Sequence, residues 1–408
     1  MQIAVIGGGA SGILAALSAK QANSSADVII FEKNEKLGKK LFITGKGRCN
    51  VTNHCSKDEF FDNIVTNAKF LYGAYAAFDS QSMIRLLEQN GCPIKIERGN
   101  RVFPASDKSS DIIKCLINAL NKNNVQILLN TVVNNVAKKD EKFFISTSKG
   151  KYYFDKVIIA TGGFSYKATG STGDGYLFAK NFGHDIIQPK PSLIGFVTAE
   201  KHNLAGLTLK NVTLKLIQKD TKRNIKSMFG EMLFTHNGIS GPIALTLSTI
   251  ANKLNLDLLN LEIDLKPALT MQQLDNRVLR DFAEQKNKAF KNSLNMLLPV
   301  SLADFVVIKS GIDPEKQVNA VTAYERKNLC NLIKGLTFSV TGFDNTDTAI
   351  VTSGGINVKE INPNTMESKL VKNLYFCGEV MDVDALTGGF NLQIAFSSGF
   401  VAGKNATI

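Results

Sequence analysis

The chain opens with a pattern of apolar and polar positions that predicts a strand, a helix and a second strand. The run QIAVI (2–6) is apolar and β-branched, and a glycine-rich turn follows it. ILAALSAKQA (13–22) has the content and length of a buried helix, and DVIIFE (27–32) is a second apolar strand. This order and spacing predict a βαβ unit with parallel strands.

The turn inside this unit carries the chemistry of a dinucleotide site. Gly7, Gly9 and Gly12 stand in G-x-G-x-x-G register, and Glu32 ends the second strand twenty residues after Gly12. The glycines allow a tight turn and close approach of a pyrophosphate to the helix N-terminus, and the carboxylate can accept hydrogen bonds from a ribose. A glutamate there disfavours a 2′-phosphate, so FAD or NAD is favoured over NADP. The alternative is a tight turn in an ordinary α/β domain.

Later segments return to the same kind of pattern. Residues 125–155 alternate as short strands with turns, and KVIIATGG (156–163) is a strand that ends in glycines. Near the C-terminus, NLYFCGE (373–379) predicts a strand and a turn, and a last helix begins near Asn391–Gln393. This layout is typical of flavoproteins of the two-dinucleotide-binding type. The helix start would stabilise the anionic edge of reduced flavin.

Between these segments the pattern changes. LTLKNVTLKLIQKD (207–220) alternates as an antiparallel strand, and EMLFTHNGISGPIALTLS (231–248) predicts a strand, a glycine turn and another strand or a helix start. Residues 270–288 and 313–335 predict helices. The first helix is predicted to bury one face formed by Leu274, Val278, Leu279 and Phe282.

The predicted fold is therefore α/β. A Rossmann-like FAD domain is interrupted by an insert domain that combines a β-barrel with a helical part. We place the first FAD-domain segment at 1–190, the insert at 191–340 with its helical part at about 267–330, and the last FAD-domain segment at 341–408.

Composition excludes several other classes. Of the 408 residues, 44% are hydrophobic and 21% charged, which is ordinary for a globular protein. We find no signal peptide and no apolar stretch of the ~18 residues that a membrane span needs, so we expect a cytoplasmic protein without a membrane partner. No two of the six cysteines are spaced C-x-x-C, and no two of the four histidines are spaced H-x-x-x-H. We therefore expect reduced thiols and no bound metal.

The formal net charge of +12 suggests an anionic partner such as nucleic acid or a phosphorylated substrate. Part of this charge is concentrated in residues 201–226, where seven Lys or Arg residues accompany the single acidic residue Asp220. Two interpretations remain open, an RNA-contacting surface and an ordinary solvated sheet face. Aromatic residues are sparse there, because only Phe229 and Phe234 follow the basic run.

Four stretches together resemble the BaiN/HI0933-like family of NAD(P)/FAD-dependent oxidoreductases, also called the ribosomal RNA dihydrouridine synthase family. They are GGGASG (7–12), GKKLFITGKGRCNVTN (38–53), GSTGDGYLFAKNFGH (170–184) with PSLIGF (191–196) after it, and the segment 352–399 that contains DALTGGFNLQIAFSSG. The resemblance covers nearly the whole chain. It implies FAD as cofactor, NAD(P)H as reductant, and an insert domain within the FAD domain.

The resemblance and the motifs together define a predicted cofactor-binding set. Its members are Gly7, Gly9, Ala10, Ser11, Gly12, Glu32, Lys33, Lys40, Gly45, Arg48, Cys49, Asn50, Val133, Thr161, Gly162, Gly378, Glu379, Gly389, Asn391, Leu392 and Gln393. By resemblance, Arg48, Cys49 and Asn50 line the flavin and its pyrophosphate. The Arg48 guanidinium can pair with a phosphate or with a substrate anion.

The chain has one G-x-G-x-x-G turn and no redox cysteine pair, so NAD(P)H is expected to dock transiently. The predicted reaction is reduction of an activated C=C bond, the C5=C6 bond of uridine in 23S ribosomal RNA. A hydride is added at C6 and a proton at C5. Cys49 and His236, the latter in the loop FTHNGISGP (234–242), are the candidate acids. For Cys49 the alternative of a small buried side chain beside the flavin is favoured over a catalytic thiol, and His236 can be structural.

Three other functions remain open. A small-molecule ene-reductase or dehydrogenase with a steroid or organic-acid substrate would use the same flavin chemistry. Enzymes of the organic-acid type use arginines to clamp the substrate, whereas this insert is rich in lysine. A non-catalytic flavoprotein that binds ribosomal RNA is the next alternative, and an NAD-binding protein without flavin is the most distant.

Overall fold

The computed structural model describes residues 1–345, 347 and 349–408. The chain forms two compact units. Unit 1 comprises Met1–Ser192 and Asp347–Ile408, and unit 2 comprises Leu193–Thr346. The sequence pattern predicted the changes of unit after residues 190 and 340, and the structure has them after residues 192 and 346.

The described residues form nineteen strands. In chain order they are β1 Gln2–Ile6, β2 Asp27–Phe31, β3 Thr52–Asn53, β4 Ile94–Glu97, β5 Arg101–Pro104, β6 Gln126–Leu128, β7 Val133–Lys139, β8 Lys142–Thr147, β9 Gly150–Phe154, β10 Lys156–Ile159, β11 Ile186–Ser192, β12 Phe196–Thr198, β13 Thr208–Gln218, β14 Asn224–Phe234, β15 Gly238–Ser240, β16 Leu259–Asp264, β17 Leu336–Phe343, β18 Val351–Ile356 and β19 Leu374–Phe376.

The same part of the chain forms twelve α-helices. They are α1 Ala10–Ala22, α2 Lys39–Ile43, α3 Lys57–Asp62, α4 Tyr72–Ala77, α5 Ser80–Gln89, α6 Ser109–Lys122, α7 Asp174–Asn181, α8 Pro242–Ala251, α9 Met271–Glu284, α10 Val300–Ser310, α11 Ala323–Lys334 and α12 Phe390–Asn405. Short 3₁₀ turns connect several of these elements.

Unit 1 is built on a five-stranded parallel sheet with the order β19-β10-β1-β2-β6. Ala4 of β1 pairs with Ile29 of β2 on one side and with Val157 of β10 on the other. The strands β7, β8 and β9 form the expected antiparallel meander. The predicted βαβ unit and the Rossmann-like class are thus confirmed. Helix α1 begins at Ala10, three residues before the predicted start, because the end of the glycine-rich segment forms the first turn of the helix.

The helices α1 and α12 pack at very close range. A Cβ atom on Gly399 would lie 2.2 Å from the carbonyl oxygen of Ser11, and one on Gly403 would lie 1.9 Å from that of Ala15. Both contacts advance by four residues along each helix, so the two helices run in the same direction. This contact ties the last segment of the chain to the first, although the whole of unit 2 lies between them in sequence.

Unit 2 contains a closed six-stranded barrel with the order β12-β15-β14-β13-β16-β17. Alternate side chains of its strands, among them Leu214, Leu216, Leu261 and Phe338, are completely buried in the barrel interior. Helices α9, α10 and α11 form the helical part. The predicted β-barrel and helical insert are therefore present.

One predicted core position is wrong. Leu279 was placed on the buried face of α9, but its side chain is 42% exposed, whereas Leu274, Val278 and Phe282 are buried. Those three residues recur every fourth position and form one stripe, and Leu279 lies about 100° further round the helix. The sequence predicted another strand or a helix start after the glycine turn that follows β14. The structure has both, since the short strand β15 is followed by α8 with Pro242 at its first position.

None of the helices in the described part of the chain combines the length and the apolar content that crossing a membrane requires.

The α1–α12 contact gives a testable prediction. Gly403→Ala places a methyl group against the backbone of Ala15, so we expect the free energy of unfolding to fall by about 1–3 kcal/mol. Gly342→Ala is the matched control, because a Cβ there meets no atom within 4 Å. Urea denaturation of both variants measures the difference. An equal stability for Gly403→Ala and Gly342→Ala would contradict the close contact.

Candidate active site

Four neighbouring parallel strands of unit 1 end at loops that carry predicted cofactor residues. Gly7 directly follows β1, Glu32 follows β2, Thr161 lies just after β10, and Gly378 lies just after β19. Open α/β sheets bind their ligands at the carboxyl ends of such strands. The topology therefore brings four separate sequence motifs to one edge of the sheet.

The three glycines of the first turn have different surroundings. Gly7 has a φ of 106°, and a Cβ there would lie 2.5 Å from the carbonyl oxygen of Ala160. A Cβ on Gly12 would lie 1.9 Å from the carbonyl oxygen of Gly7. A Cβ on Gly9 meets no protein atom within 4 Å. Gly7 and Gly12 are thus required by the protein's own packing, whereas the space beside Gly9 is open to a ligand.

The N-terminus of α1 is prepared for an anion. Gly9 caps the helix without any side-chain hydrogen bond, and the first turn contains no acidic residue. The N–H groups of this turn therefore have no capping acceptor from a side chain, and they carry the positive end of the helix dipole. A pyrophosphate fits this arrangement.

The Glu32 carboxylate is held in a fixed position at the end of β2. It accepts hydrogen bonds from the backbone N–H of Gly8 at 2.8 Å and from the backbone N–H of Asn34 at 2.8 Å. The residue is 7% exposed. The neighbouring Lys33 pairs with Asp174 at 2.5 Å, so its ammonium group helps to join β2 to α7. The cofactor roles of Glu32 and Lys33 stay predictions.

The loop at residues 44–50 has an unusual backbone. Gly45, Lys46, Gly47 and Cys49 all have φ between 58° and 82°, in the left-handed region. Two glycines meet this requirement without strain, but Lys46 and Cys49 do not. The loop is therefore held in one conformation by its surroundings.

Arg48 supplies much of that constraint. Its guanidinium pairs with Glu97 and with Asp107, each at 2.5 Å, and lies over the ring of Phe103 at 4.1 Å from the ring centre. The sequence predicted a phosphate or a substrate anion as its partner. In the structure the guanidinium pairs with two carboxylates, which anchors the loop, and its role toward a phosphate or a substrate anion stays a prediction.

The Cys49 thiol is completely buried by protein atoms alone. Burial raises the pKa of Cys49 to about 11, and a hydrogen bond with Thr44 acts in the opposite direction. The thiol therefore stays protonated at neutral pH. Its enclosure favours the interpretation as a small packed side chain, and the catalytic assignment of Cys49 stays a prediction.

Several buried polar atoms of unit 1 have no hydrogen-bond partner among the described residues. They are the Asn50 Oδ1, Asn53 Oδ1, Thr161 Oγ1 and Tyr176 hydroxyl oxygens. An unpaired buried polar atom costs free energy, so each is expected to meet a ligand or water. Asn50 and Thr161 belong to the predicted set. Sequence reasoning missed Asn53 and Tyr176, although both lie within motifs that it quoted.

A polar network surrounds the turn after β19. The Glu379 carboxylate pairs with Lys40 at 2.6 Å and accepts hydrogen bonds from the Ser165 hydroxyl at 2.7 Å and the Thr352 N–H at 2.8 Å. Burial would raise the pKa of Glu379, but the Lys40 charge and these hydrogen bonds hold it below its ordinary value. Ser165 and Thr352 were not predicted, because they come from distant parts of the chain.

The start of α12 is fixed by side chains that point back into the protein. Asn391 donates to the Ala385 carbonyl at 2.8 Å and accepts from its N–H at 2.9 Å. Gln393 is completely buried and accepts from the Thr52 hydroxyl at 2.7 Å. No side chain caps the helix at Gly389, so its first N–H groups form a second positive helix end.

The two positive helix ends have a defined spacing. Gly399 lies against Ser11, and the two helices run in the same direction. Helix α1 starts one residue before Ser11 and α12 starts nine residues before Gly399, so α12 extends eight residues, about 12 Å, beyond the N-terminus of α1. An extended dinucleotide can reach from a phosphate-binding helix end at α1 to a second helix end at α12. The site therefore fits FAD.

The remaining predicted residues lie around this site or form its walls. Ser11 is buried, and a Cβ on Gly378 would lie 2.5 Å from its hydroxyl. Gly162 has a φ of 74° beside Ser171. The other predicted positions on these elements are Ala10 and Leu392, which are half-buried, and Val133, which is buried at the start of β7.

His236 belongs to unit 2, in the loop between β14 and β15. Its side chain is exposed. Its role stays a prediction. In the described part of the chain all six cysteines are free thiols, and no group of three or more His, Cys, Asp or Glu side chains is placed to hold a metal ion.

Comparison with known proteins identifies the family. The model of the HI0933-like protein Rossmann domain matches residues 1–405. The chain belongs to this family. The predicted resemblance is confirmed, and the protein is an FAD-dependent oxidoreductase.

Curated relatives are similar over nearly their full lengths. The chain is 31% identical over 404 residues to a ribosomal RNA dihydrouridine synthase of Haemophilus influenzae, covering 97% of this chain and 96% of the relative. It is 28% identical over 415 residues to a 3-dehydro-bile acid delta(4,6)-reductase of Clostridium scindens, covering 99% and 98%. A ribosomal RNA dihydrouridine synthase of Escherichia coli is 28% identical over 408 residues, covering 98% and 96%.

Solved structures share the fold. The 3-ketosteroid-delta4-(5alpha)-dehydrogenase of Rhodococcus jostii superposes with a TM-score of 0.52 at 14% identity, covering 100% of this chain and 96% of that one. The FrdA subunit of Escherichia coli quinol fumarate reductase gives a TM-score of 0.52 at 15% identity, covering 100% and 70%.

The open space at Gly9 gives the first prediction for the site. Gly9→Val adds a side chain whose Cβ meets no atom of the described residues within 4 Å and which would project toward the cofactor. We therefore expect FAD affinity to fall at least about tenfold with little change in apoprotein stability. Gly12→Ala is the comparison variant, and it should lower apoprotein stability itself. FAD titration by fluorescence and thermal unfolding of the apoprotein provide the two measurements. Unchanged FAD affinity in Gly9→Val would contradict this placement of the pyrophosphate.

The Lys40–Glu379 pair gives a second, pH-dependent prediction. The folded-state pKa of Glu379 is below its ordinary value, so the ionised carboxylate stabilises the folded protein. This contribution is present at pH values above the ordinary pKa and is lost as pH falls through the folded-state pKa. Lys40→Met should therefore lower the free energy of unfolding by about 1–3 kcal/mol at pH 7 and by less near pH 4.

Lys69→Met is the control for this measurement, because Lys69 is exposed and its side chain forms no ion pair in the described part of the chain. Urea denaturation at both pH values tests whether the loss of unfolding free energy is smaller at pH 4 than at pH 7. A loss for Lys40→Met that is as large at pH 4 as at pH 7 would contradict the network.

Proposed function

We propose that this protein reduces the C5=C6 bond of uridine in 23S ribosomal RNA, giving dihydrouridine, with NAD(P)H as the reductant. The observation that carries the proposal is the 31% identity, over nearly the whole length of both chains, to a protein named ribosomal RNA dihydrouridine synthase. The second relative of that name and the net charge of +12 support it. Under this proposal the enzyme acts in the cytoplasm, where ribosomal RNA is found.

The reaction balances with one NAD(P)H and one proton. The uracil C5=C6 bond is conjugated with the C4 carbonyl, so C6 accepts a hydride and C5 then accepts a proton. NAD(P)H is oxidised to NAD(P)⁺ and uridine is reduced. Bound FAD supplies hydride transfer between the two substrates. The chain carries one dinucleotide fingerprint, so we propose that NAD(P)H docks transiently and leaves before the RNA is reduced.

The protein's own residues bind and orient the cofactor. The first N–H groups of α1 hold the pyrophosphate, and the Glu32 carboxylate accepts hydrogen bonds from the ribose. The uncapped start of α12 offers a positive helix end, which would stabilise negative charge on a flavin ring bound there. The buried Asn50 and Thr161 oxygens are available to donors of the cofactor or to ordered water.

We propose His236 as the proton donor. Of the two candidates, the Cys49 thiol is enclosed by protein atoms, whereas the His236 side chain is exposed and can exchange protons with water. An imidazole ring can act as a general acid by donating the proton of a ring nitrogen.

A small-molecule reductase is the second candidate function. The observation that favours it is the 28% identity to a 3-dehydro-bile acid delta(4,6)-reductase, again over nearly the full length of both chains. Reduction of a conjugated C=C bond is common to both candidates, so the flavin site alone does not distinguish them. The substrate decides between them.

The test uses purified protein, NADPH or NADH, and ribosomal RNA that lacks dihydrouridine. After digestion to nucleosides, mass spectrometry should detect dihydrouridine only when both protein and reductant are present. His236→Gln should lower the rate at least about a hundredfold while NAD(P)H still reduces the flavin. His54→Gln, another exposed histidine, is the control. Absence of dihydrouridine, together with reduction of a conjugated steroid enone, would overturn the proposal in favour of the second candidate.

A further inference from the structure

The outer face of the barrel in unit 2 carries an ordered set of polar and basic side chains. On β13, Leu214 and Leu216 point inward and are completely buried, so Thr213, Lys215 and Ile217 point outward. We define the outer face as the outward side of β13, β14 and β16, together with the turn that joins β13 to β14.

Cross-strand register aligns the outward residues in rows. Lys215 of β13 stands between Ser227 of β14 and Glu262 of β16. Ile217 similarly stands between Asn224 and Asn260. A cavity of about 410 Å³ opens over these rows, and the residues that matter here are Lys215, Lys219, Lys222, Asn224, Asn260 and Glu262.

The cavity has an excess of positive charge. Lys215 pairs with Glu262 at 2.7 Å, which is the one carboxylate in its lining. Lys219 donates to the neutral backbone carbonyl of Asp257 at 2.7 Å. Lys222 is exposed and has no partner among the described residues. The Lys219 and Lys222 charges are therefore available to an anion.

One atom in the cavity lining is left without a partner. The Asn260 Oδ1 atom is buried and accepts no hydrogen bond from the described residues. Phosphates offer no donor to such an atom, but the 2′-hydroxyl of a ribose does. A ribonucleotide can therefore satisfy both the lysines and the asparagine.

An aromatic side chain lies on the same face. Phe229 pairs with Thr213, two residues along β14 from Ser227, and is 63% exposed. The register is continuous over this stretch, so Phe229 lies about 7 Å along the strand from the Lys215 row. Phe234, the other aromatic residue near the basic run, is completely buried in the barrel. Of the two aromatic residues near the basic run, Phe234 therefore belongs to the barrel core and only Phe229 is available on the outer face.

We propose that this outer face binds the single-stranded RNA that carries the uridine substrate. Lys219 and Lys222 contact phosphates, Asn260 accepts a hydrogen bond from a ribose 2′-hydroxyl, and Phe229 stacks on a base. The proposal rests on the function proposed above and names the surface of the protein that holds its substrate.

The test measures binding of a uridine-containing single-stranded RNA by fluorescence anisotropy over a range of salt concentrations. The double variant Lys219→Gln/Lys222→Gln should reduce the slope of log affinity against log salt by about 1.4, because each phosphate contact on a single strand contributes about 0.7. The matched control, Lys286→Gln/Lys327→Gln, removes two exposed charges from the helical part and should leave the slope unchanged.

The aromatic contact has its own test. Phe229→Ala should weaken RNA binding by about five- to a hundredfold and leave the salt slope unchanged, because stacking involves no counterion release. Tyr324→Ala is the control, since Tyr324 is 75% exposed on α11. Asn260→Leu should reduce the preference for RNA over DNA of the same sequence. Retained thermal stability and FAD content in each variant show that the loss is local.

Two outcomes separate this inference from the proposed function. If wild type forms dihydrouridine but the variants bind RNA as tightly and as salt-dependently as their controls, the outer face is not the RNA site and the function stands. If wild type binds RNA through these residues but forms no dihydrouridine, the proposed function fails and the surface stands. Weakened binding together with a raised KM for ribosomal RNA, with flavin reduction by NAD(P)H unchanged, supports both.

Discussion

The close contact between α1 and α12 is the constraint on which the cofactor site depends. Gly399 and Gly403 let the backbones approach to a distance that a methyl side chain would prevent. The register of this contact places two uncapped helix starts on the same side of unit 1, about 12 Å apart along the axes. One suits a pyrophosphate and the other suits the flavin ring. The last sixty residues of the chain therefore complete a site that the first forty begin.

Local patterns were sufficient to predict most of the fold. The apolar runs around the glycine turn predicted the βαβ unit, and the alternation at 207–220 predicted a barrel strand. The one misplaced core residue, Leu279, shows where such reasoning fails, since adjacent apolar residues in a helix cannot both lie in a narrow buried stripe.

The site was less predictable because its side chains find partners far away in sequence. Lys40 and Glu379 are 339 positions apart, and Arg48 meets Glu97 and Asp107 through contacts that no local pattern encodes. The sequence predicted Lys40, Arg48 and Glu379 as cofactor-binding residues, without Glu97 or Asp107. In the structure Arg48 and Gln393 also hold a loop and a helix start in place, and their roles toward the cofactor stay predictions. Backbone N–H groups at two helix starts and a few buried oxygens have no partner among the described residues, and they are available to a cofactor.

Relatives of nearly equal similarity carry different names, one for ribosomal RNA and one for a bile acid. The two names differ in the substrate, so the flavin site of this chain does not decide between the two candidate substrates. Substrate choice must then depend on other surfaces. In this chain the outer face of the barrel joins the exposed Lys222, the Lys219 ammonium on a neutral backbone carbonyl, an unpaired buried asparagine oxygen and an exposed phenylalanine. This combination is the basis of the RNA-binding surface that we propose.

The most direct measurement is made in cells. The gene is deleted, 23S ribosomal RNA is isolated, and dihydrouridine is mapped by sequence-resolved mass spectrometry, with complementation by the wild-type gene and by the Gly9→Val variant. The account predicts that one or more dihydrouridines disappear on deletion, return with the wild-type gene and return weakly or not at all with the variant. An unchanged dihydrouridine map in the deletion strain would contradict it.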